Sequence, residues 1–314
     1  MNRSKNSLGI TIGDPAGIGP EVTLKALAGI KVCPETKLFL FGDEPVLRRT
    51  RLPVPEGVTV IAPGIISART FPAGKANPLT GKAAYQYFLD ALSFLRGGRI
   101  KTLVTAPVSK EAINLAGFKF SGHTEILAKE FGAADYGMFF SAGKFNLFLL
   151  TTHLSLRSVS REITADLIFR KVCLANRFLK SGLGIKKPKI LICGLNPHAG
   201  EGGCLGKEEG TVFEPAIALL FKKGLIVSGP VPADSAYRIY CRGKFHLMVS
   251  AYHDQMLPLF KGLYFDRGVN ITIGLPFIRT SPDHGTAFDL AYKNLADSRS
   301  MEAAIRMALR LGAG

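Results

Sequence analysis

Three times in this 314-residue chain an apolar run of strand length is followed within a few residues by a histidine: KFNLFLLTTH ends at His153, KPKILICGLNPH at His198 and FHLMVSAYH at His253. Each run is short for a helix and too continuous for a half-exposed strand. It reads as a strand buried on both faces, the type found in parallel sheets covered by helices. Parallel strands end on one edge of their sheet, and open α/β sheets collect their ligands there. The recurrence therefore predicts a parallel sheet that brings three of the six histidines to one edge. Three imidazoles with room left for water or substrate make a competent divalent-metal site, and taken singly each is an ordinary loop histidine.

The rest of the chain agrees with such a sheet. Leu8 to Ile12 reads as a strand that turns through a Gly/Pro loop into a helix starting near Pro20, and KLFLFGD and GVTVIAP read as the next two strands. Residues 64 to 78 read as loop. From Leu79 to Leu95 the apolar positions recur at helical spacing until Gly97 and Gly98, and IKTLVTAPVSKEAI is a strand-to-helix passage with Ser109 as N-cap. A further helix runs from Ala165 to Leu179. Alternation of this kind predicts an α/β fold, and the length predicts two lobes. Gly17-x-Gly19 is followed by Val22 where a dinucleotide fingerprint needs a third small residue, so the Rossmann match fails. Gly229 to Tyr237 is expected to be a Pro-rich loop with Asp234 as a turn residue. Arg279 is expected in a Pro- and Ser-marked loop, and a helix is expected from His284 with Ala287, Leu290, Ala291 and Leu295 on one face, ahead of a last helix from Met301 to Leu311.

Forty Lys and Arg against 24 Asp and Glu give a formal charge of +16, which favours anionic partners. No helix-turn-helix, RNA-binding or zinc-finger signature accompanies the charge, so phosphorylated small molecules are expected rather than nucleic acid. No apolar stretch approaches the ~18 residues that cross a bilayer, and the start, MNRSKNSLGITIGDP, has too short an apolar segment for a signal peptide; no membrane contact and a cytoplasmic location are expected. The five cysteines are odd in number and scattered without a C-x-x-C pair, which predicts neither a disulfide framework nor a cysteine zinc site.

Candidate site residues are densest from His253 to His284. Asp254 follows His253 directly and could orient it. Lys261, Asn270 and Arg279 supply cationic and amide contacts. His123 and Thr124 stand just ahead of a short amphipathic helix, either as part of its cap, with Thr124 or Ser121 as the capping side chain, or facing a substrate anion together with the free helix N–H groups.

The segments GDPAGIGPE, TAPVSKEAI, SGHTE, GLNPHAGEGG, GPVPAD, YHDQ and FDRGVNITIGLPFIRTSPDHGTAFDLA, spread over almost the whole chain, resemble the 4-hydroxythreonine-4-phosphate dehydrogenases of pyridoxal phosphate biosynthesis. The resemblance implies the two-lobed α/β/α fold of isocitrate and isopropylmalate dehydrogenases, with interleaved lobes and the site in the cleft between them. It implies that His153, His198 and His253 bind one divalent metal (Zn, Mg or Co), and that His123, Thr124, Lys261, Asn270 and Arg279 contact the substrate. Asp234 and Asp254 are the candidate carboxylates for proton transfer or for orienting a ligand. The implied cofactor is NAD, with NADP as its variant, and the implied assembly is a homodimer with sites at the subunit interface. The implied reaction is oxidation and decarboxylation of 4-phosphooxy-L-threonine to 3-amino-2-oxopropyl phosphate. Relatives act instead on threonate or erythronate 4-phosphates or dihydrodiol carboxylates, and three histidines alone would also suit a zinc hydrolase. The chain departs from the family pattern at Met256, where glycine is common, and at AYKNLAD, which replaces a glycine-containing AGKG-like stretch on the cofactor side.

Overall fold

A computed structural model describes residues 7–68 and 70–313, so the expectation drawn from the first residues falls partly outside the described chain. The described chain divides into two compact units that interleave in sequence. The first takes the chain up to Phe131, then Phe265–Asn270 and everything from Leu275; the second takes Gly132–Tyr264 and Ile271–Gly274.

In the first unit β1 (Ser7–Thr11), α1 (Gly19–Ala28), β2 (Lys37–Phe41), α2 (Glu44–Arg49), β3 (Val58–Ile61), α3 (Pro78–Arg96), β4 (Thr102–Thr105), α4 (Lys110–Leu115) and α5 (His123–Glu130) follow in order. The second unit carries β5 (Gly137–Ala142), β6 (Phe145–Leu149), α6 (Leu156–Glu162), α7 (Ala165–Ser181), β7 (Lys189–Cys193), α8 (Glu214–Lys222), β8 (Ile226–Val231), α9 (Ala233–Gly243), β9 (Leu247–Ser250) and α10 (His253–Tyr264). Then come β10 (Val269–Ile273), whose residues are shared between the units, and β11 (Ile278–Pro282) and α11 (Arg299–Gly312) of the first unit.

Strands of the first unit lie in the order β3-β2-β1-β4-β11, all parallel. The order reverses between β1 and β4, a switch point of the kind that opens a crevice at the strand ends. α3 packs on β1 and β2, and α11 on β4 and β11. In the second unit the order is β5-β6-β9-β7-β8; β5 and β6 form an antiparallel hairpin, and the remaining neighbours are parallel. Its core shows why the apolar runs are continuous. Alternate residues of the central strands (Phe140, Leu147, Leu191, Met248) pack with Tyr240 of α9 and Leu257 and Phe260 of α10. Their neighbours face the other way, where Phe139 meets Phe178 of α7 edge-on at a centroid distance of 4.9 Å. Helices cover both faces, so both sets of side chains are buried, each large one contributing about 1.5–3 kcal/mol.

Capping bears out several helix boundaries: Asn77, Ser109 and Thr164 accept the backbone N–H of Thr80, Ala112 and Leu167. Four expectations are corrected. α5 is capped by Gly122 at φ 149° with no side-chain bond, so neither Thr124 nor Ser121 caps it; Thr124 is instead buried within the first turn. Gly229 to Tyr237 is the end of β8 and the start of α9, with Asp234 in the first helical turn, where its charge suits the helix dipole. Arg279 lies in β11, paired in register with Leu103 of β4, and is buried. The helix expected from His284 is absent apart from a single turn, Phe288–Leu290. Ala287, Tyr292 and Asn294 have positive φ there, and the segment is tied down elsewhere: Glu21 accepts the N–H groups of Asn294 and Ala296, and Lys25 donates to their carbonyls.

Candidate active site

β6, β9 and β7 are adjacent and parallel, with Leu149 opposite Ser250 and Ile192 opposite Val249. They therefore end on one edge, and His153, His253 and His198 follow those ends, as the recurring pattern predicts. Thr151 holds the first two exits together: its N–H and its hydroxyl both donate to the Ala251 carbonyl, at 3.3 and 2.8 Å. The rings of His153 and His253 have their centroids 6.2 Å apart across a cleft of about 40 Å³ lined also by Thr152, Tyr252 and Asp254. An imidazole nitrogen about 2.0–2.1 Å from a metal puts its ring centre roughly 3.2 Å away, so two rings on one ion stand at most about 6.4 Å apart. At 6.2 Å one ion would take both rings only from nearly opposite sides, since a tetrahedral pair stands about 5.2 Å apart. His253 Nδ1 is 2.9 Å from Asp254 Oδ1, so Nε2 is the nitrogen it could offer to an ion. Asp254 is placed to orient the His253 ring.

His198 does not complete the trio within the chain. Among the described residues no three His, Cys, Asp or Glu side chains converge closely enough to hold a metal. The His198 side chain is 64% exposed, 3.3 Å from Glu201 through Nδ1. Its backbone is unusual: His198, Ala199, Gly200, Glu201, Gly202 and Gly203 all have positive φ, three of them non-glycine. His153 is left-handed too, at φ 55°. Such residues cost about 1–2 kcal/mol each, and strain of this kind collects at functional sites where surrounding structure holds it.

Holding it here are two residues that were not singled out as site candidates. Glu209, buried, accepts the N–H groups of Leu195 and Asn196 at 2.8 and 2.7 Å and the Asn196 side-chain amide at 2.9 Å. Gln255 donates to the Gly194 carbonyl at 2.7 Å while accepting from the Ala251 N–H at 2.8 Å, so it ties the root of the His198 turn to the strand end that delivers His253. Gln255 stood inside the quoted YHDQ. For Glu209 the only signal was the density of glycines ahead of it, which marks a backbone needing left-handed conformations.

The first unit holds a second cluster. His123 is part-buried, meeting Phe88 and Phe120 edge-on at centroid distances of 4.8 and 5.3 Å, and its Nε2 is buried with no hydrogen-bond partner. Burial first, and then the charges of Arg279 and Lys110, push its pKa well below the usual imidazole value, so the ring is neutral at pH 7. Arg279 donates through Nη2 to Thr105 Oγ1 at 2.6 Å; burial lowers its pKa to about 10, against the opposing charge of Glu125, and it remains a cation. Asn270, also in this unit, is buried with its Oδ1 unpartnered. A buried cation close to the unpartnered His123 Nε2 is an arrangement that suits an anion. Lys261 belongs to the second unit, in the last turn of α10, about 12 Å along the axis from His253. Asp234 is exposed and accepts the Ser235 N–H at 2.9 Å.

A family model described as pyridoxal phosphate biosynthetic protein PdxA matches residues 34–308. The chain belongs to the PdxA family. A 4-hydroxythreonine-4-phosphate dehydrogenase from Desulfosudis oleivorans is 41% identical over 324 residues, covering 96% of this chain and 95% of its own. A D-threonate 4-phosphate dehydrogenase from Bordetella bronchiseptica is 38% identical over 327 residues, covering 98% and 93%. The crystal structure of 4-hydroxythreonine-4-phosphate dehydrogenase from Klebsiella pneumoniae superposes with a TM-score of 0.85 at 34% identity over the whole of both chains. Isocitrate dehydrogenase from Methylococcus capsulatus, 13% identical, matches 96% of this chain and 84% of its own with a TM-score of 0.52, which places the fold of this PdxA-family chain in the expected isocitrate dehydrogenase class. Among the described residues no helix is long and apolar enough to cross a membrane.

Proposed function

We propose that this protein oxidises and decarboxylates 4-phosphooxy-L-threonine to 3-amino-2-oxopropyl phosphate with NAD and one divalent metal. The observation that carries the reading is the imidazole pair at the ends of adjacent parallel strands, within reach of one ion. His153 and His253 hold that ion, and the third imidazole comes from a second copy of the chain, in keeping with the exposure of His198 and the two-ligand set in each single chain. A bound ion supplies a Lewis acid for the substrate's hydroxyl and carboxylate oxygens, and a bound nicotinamide is the hydride acceptor. Everything else falls to side chains. Arg279 binds the phosphate or carboxylate through its planar fork, and Lys261 adds a point charge. His123, kept neutral, offers one N–H to an anion, and Thr124 and Asn270 bond the remaining oxygens. Asp254 fixes the His253 ring, and Asp234 is the candidate acceptor for the hydroxyl proton.

D-threonate 4-phosphate is the second substrate to test, because relatives named for it are as similar as those named for the threonine phosphate. The experiment is NADH formation at 340 nm with both substrates, with and without added metal. A 4-phosphorylated substrate and metal together should be required; no signal with any 4-phosphorylated hydroxy acid sinks the reading. Turnover of an ester or amide without nucleotide would favour a three-histidine hydrolase instead.

A further inference from the structure

We propose that Glu209 is the positioning residue of the metal site: its buried carboxylate holds the left-handed turn that presents His198, so it sets metal affinity without touching the metal. The inference rests on His198 being a ligand, as in the proposed function.

The turn is strained. Six successive residues with positive φ, His198 to Gly203, lie in a short left-handed 3-10-type turn, Pro197–Gly203, whose ends are closed by backbone bonds from Ala199 to Asn196, Cys204 to Glu201 and Leu205 to Gly200. Non-glycine residues there favour relaxing to right-handed or extended backbone, which would swing the His198 Cα–Cβ bond away. The carboxylate of Glu209 fills the hollow of the loop. Oε1 takes two consecutive backbone N–H groups just before the turn, and Oε2 takes the Asn196 amide, which Glu208 Oε2 holds from its other side at 2.8 Å. The fit is tight. A Cβ on Gly200 would stand 2.6 Å from Glu209 Oε2, so the glycine is required by the carboxylate as well as by its φ of 81°.

Only an acceptor on both sides satisfies all three donors. Glutamine at 209 keeps Oε1 for the two backbone N–H groups but turns an amide N–H₂ toward Asn196, and Asn196 cannot flip to match without setting its oxygen against Glu208. Glu209→Gln should therefore be partial and Glu209→Ala complete. Partners that orient ligands from behind typically change metal affinity 10–100-fold when removed.

The test is titration of the full-length protein with Co²⁺ alone, followed by visible absorption and calorimetry, with far-UV circular dichroism as the check on folding. Wild type, His198→Ala, Glu209→Gln, Glu209→Ala and Gly200→Ala are compared. Expected are an affinity loss of about 10–100-fold for Glu209→Ala, a smaller one for Glu209→Gln, and an altered Co²⁺ spectrum in both at wild-type circular dichroism. Gly200→Ala leaves the carboxylate in the chain but displaces it, and should reproduce the Glu209→Ala loss even if Glu209→Ala fails to fold. If His198→Ala loses metal while Gly200→Ala and the foldable Glu209 variants bind Co²⁺ like wild type, the clamp is wrong and the site stands. If His198→Ala itself binds Co²⁺ like wild type, the ligand assignment beneath the proposal fails.

Discussion

A neutral, part-buried His123 makes stability depend on pH in a way one substitution can isolate. Its pKa lies well below 6.5 in the folded protein and near 6.5 in the unfolded chain, so below that pH the unfolded state binds a proton that the folded state refuses. The folded-state value is depressed; the contribution is present above about pH 6.5 and is lost as pH falls through it. Lowering the pH from 7.5 to 5.5 protonates the group in the unfolded chain and so costs the fold up to about 1.4 kcal/mol from this group alone. His123→Asn keeps a polar side chain but does not titrate. Urea denaturation of both proteins at several pH values across that range cancels every other group and leaves the difference. Wild type should lose up to about 1.4 kcal/mol more than the variant. Parallel curves would mean that the imidazole is protonated or wetted in the native protein, and the neutral-donor role assigned to it would go with that result.

Two further outcomes follow from named contacts. Arg279→Lys keeps a cation but loses the fork and the Thr105 bond, and should raise KM for the phosphorylated substrate roughly tenfold to a hundredfold with metal content unchanged; an unchanged KM by steady-state assay would return Arg279 to a purely structural role. Tyr292 has φ 59°, yet its hydroxyl donates to the Pro15 carbonyl at 2.6 Å and its ring lies 4.6 Å from the Arg49 guanidinium and 5.9 Å from Phe71, so Tyr292→Gly should lower stability by about 2–3 kcal/mol, lost packing outweighing the 1–2 of relieved strain, whereas Asn294→Gly at φ 60° should be neutral or slightly stabilising by thermal melt.

Where local pattern and tertiary demand agreed, the chain could be read directly. The three apolar runs are β6, β7 and β9 because helices cover both sheet faces, which is what an unbroken apolar strand means. Arg279 misled because Thr280, Ser281 and Pro282 carry turn chemistry, while their actual place is the buried end of a strand: Thr280 donates to the Ala304 carbonyl of α11, and Pro282 ends the strand where no further ladder N–H is needed. The segment after His284 misled in the opposite sense. Its apolar spacing is helical, but Glu21 and Lys25 in α1 compete for the same backbone groups and win, bending the chain through left-handed residues at Ala287, Tyr292 and Asn294.

The candidate site divides along the same line. Where the three imidazoles stand was visible, because imidazoles after strand ends obey the topology of a parallel sheet. How they are held was not. Asp254 could be guessed as a neighbour of His253, but Glu209 acts on His198 from eleven positions away through backbone N–H groups that leave no trace in composition or period. The two histidines in left-handed backbone make that support necessary: a side chain delivered by a strained turn is only as well placed as the groups that resist its relaxation. In the AYKNLAD stretch, Tyr292 and Asn294 occupy left-handed positions, and Tyr292 is held there by Pro15, Phe71 and Arg49. Tyr292 keeps its left-handed backbone because a packed aromatic ring, its hydroxyl bond to Pro15 and the Arg49 cation over its face resist relaxation.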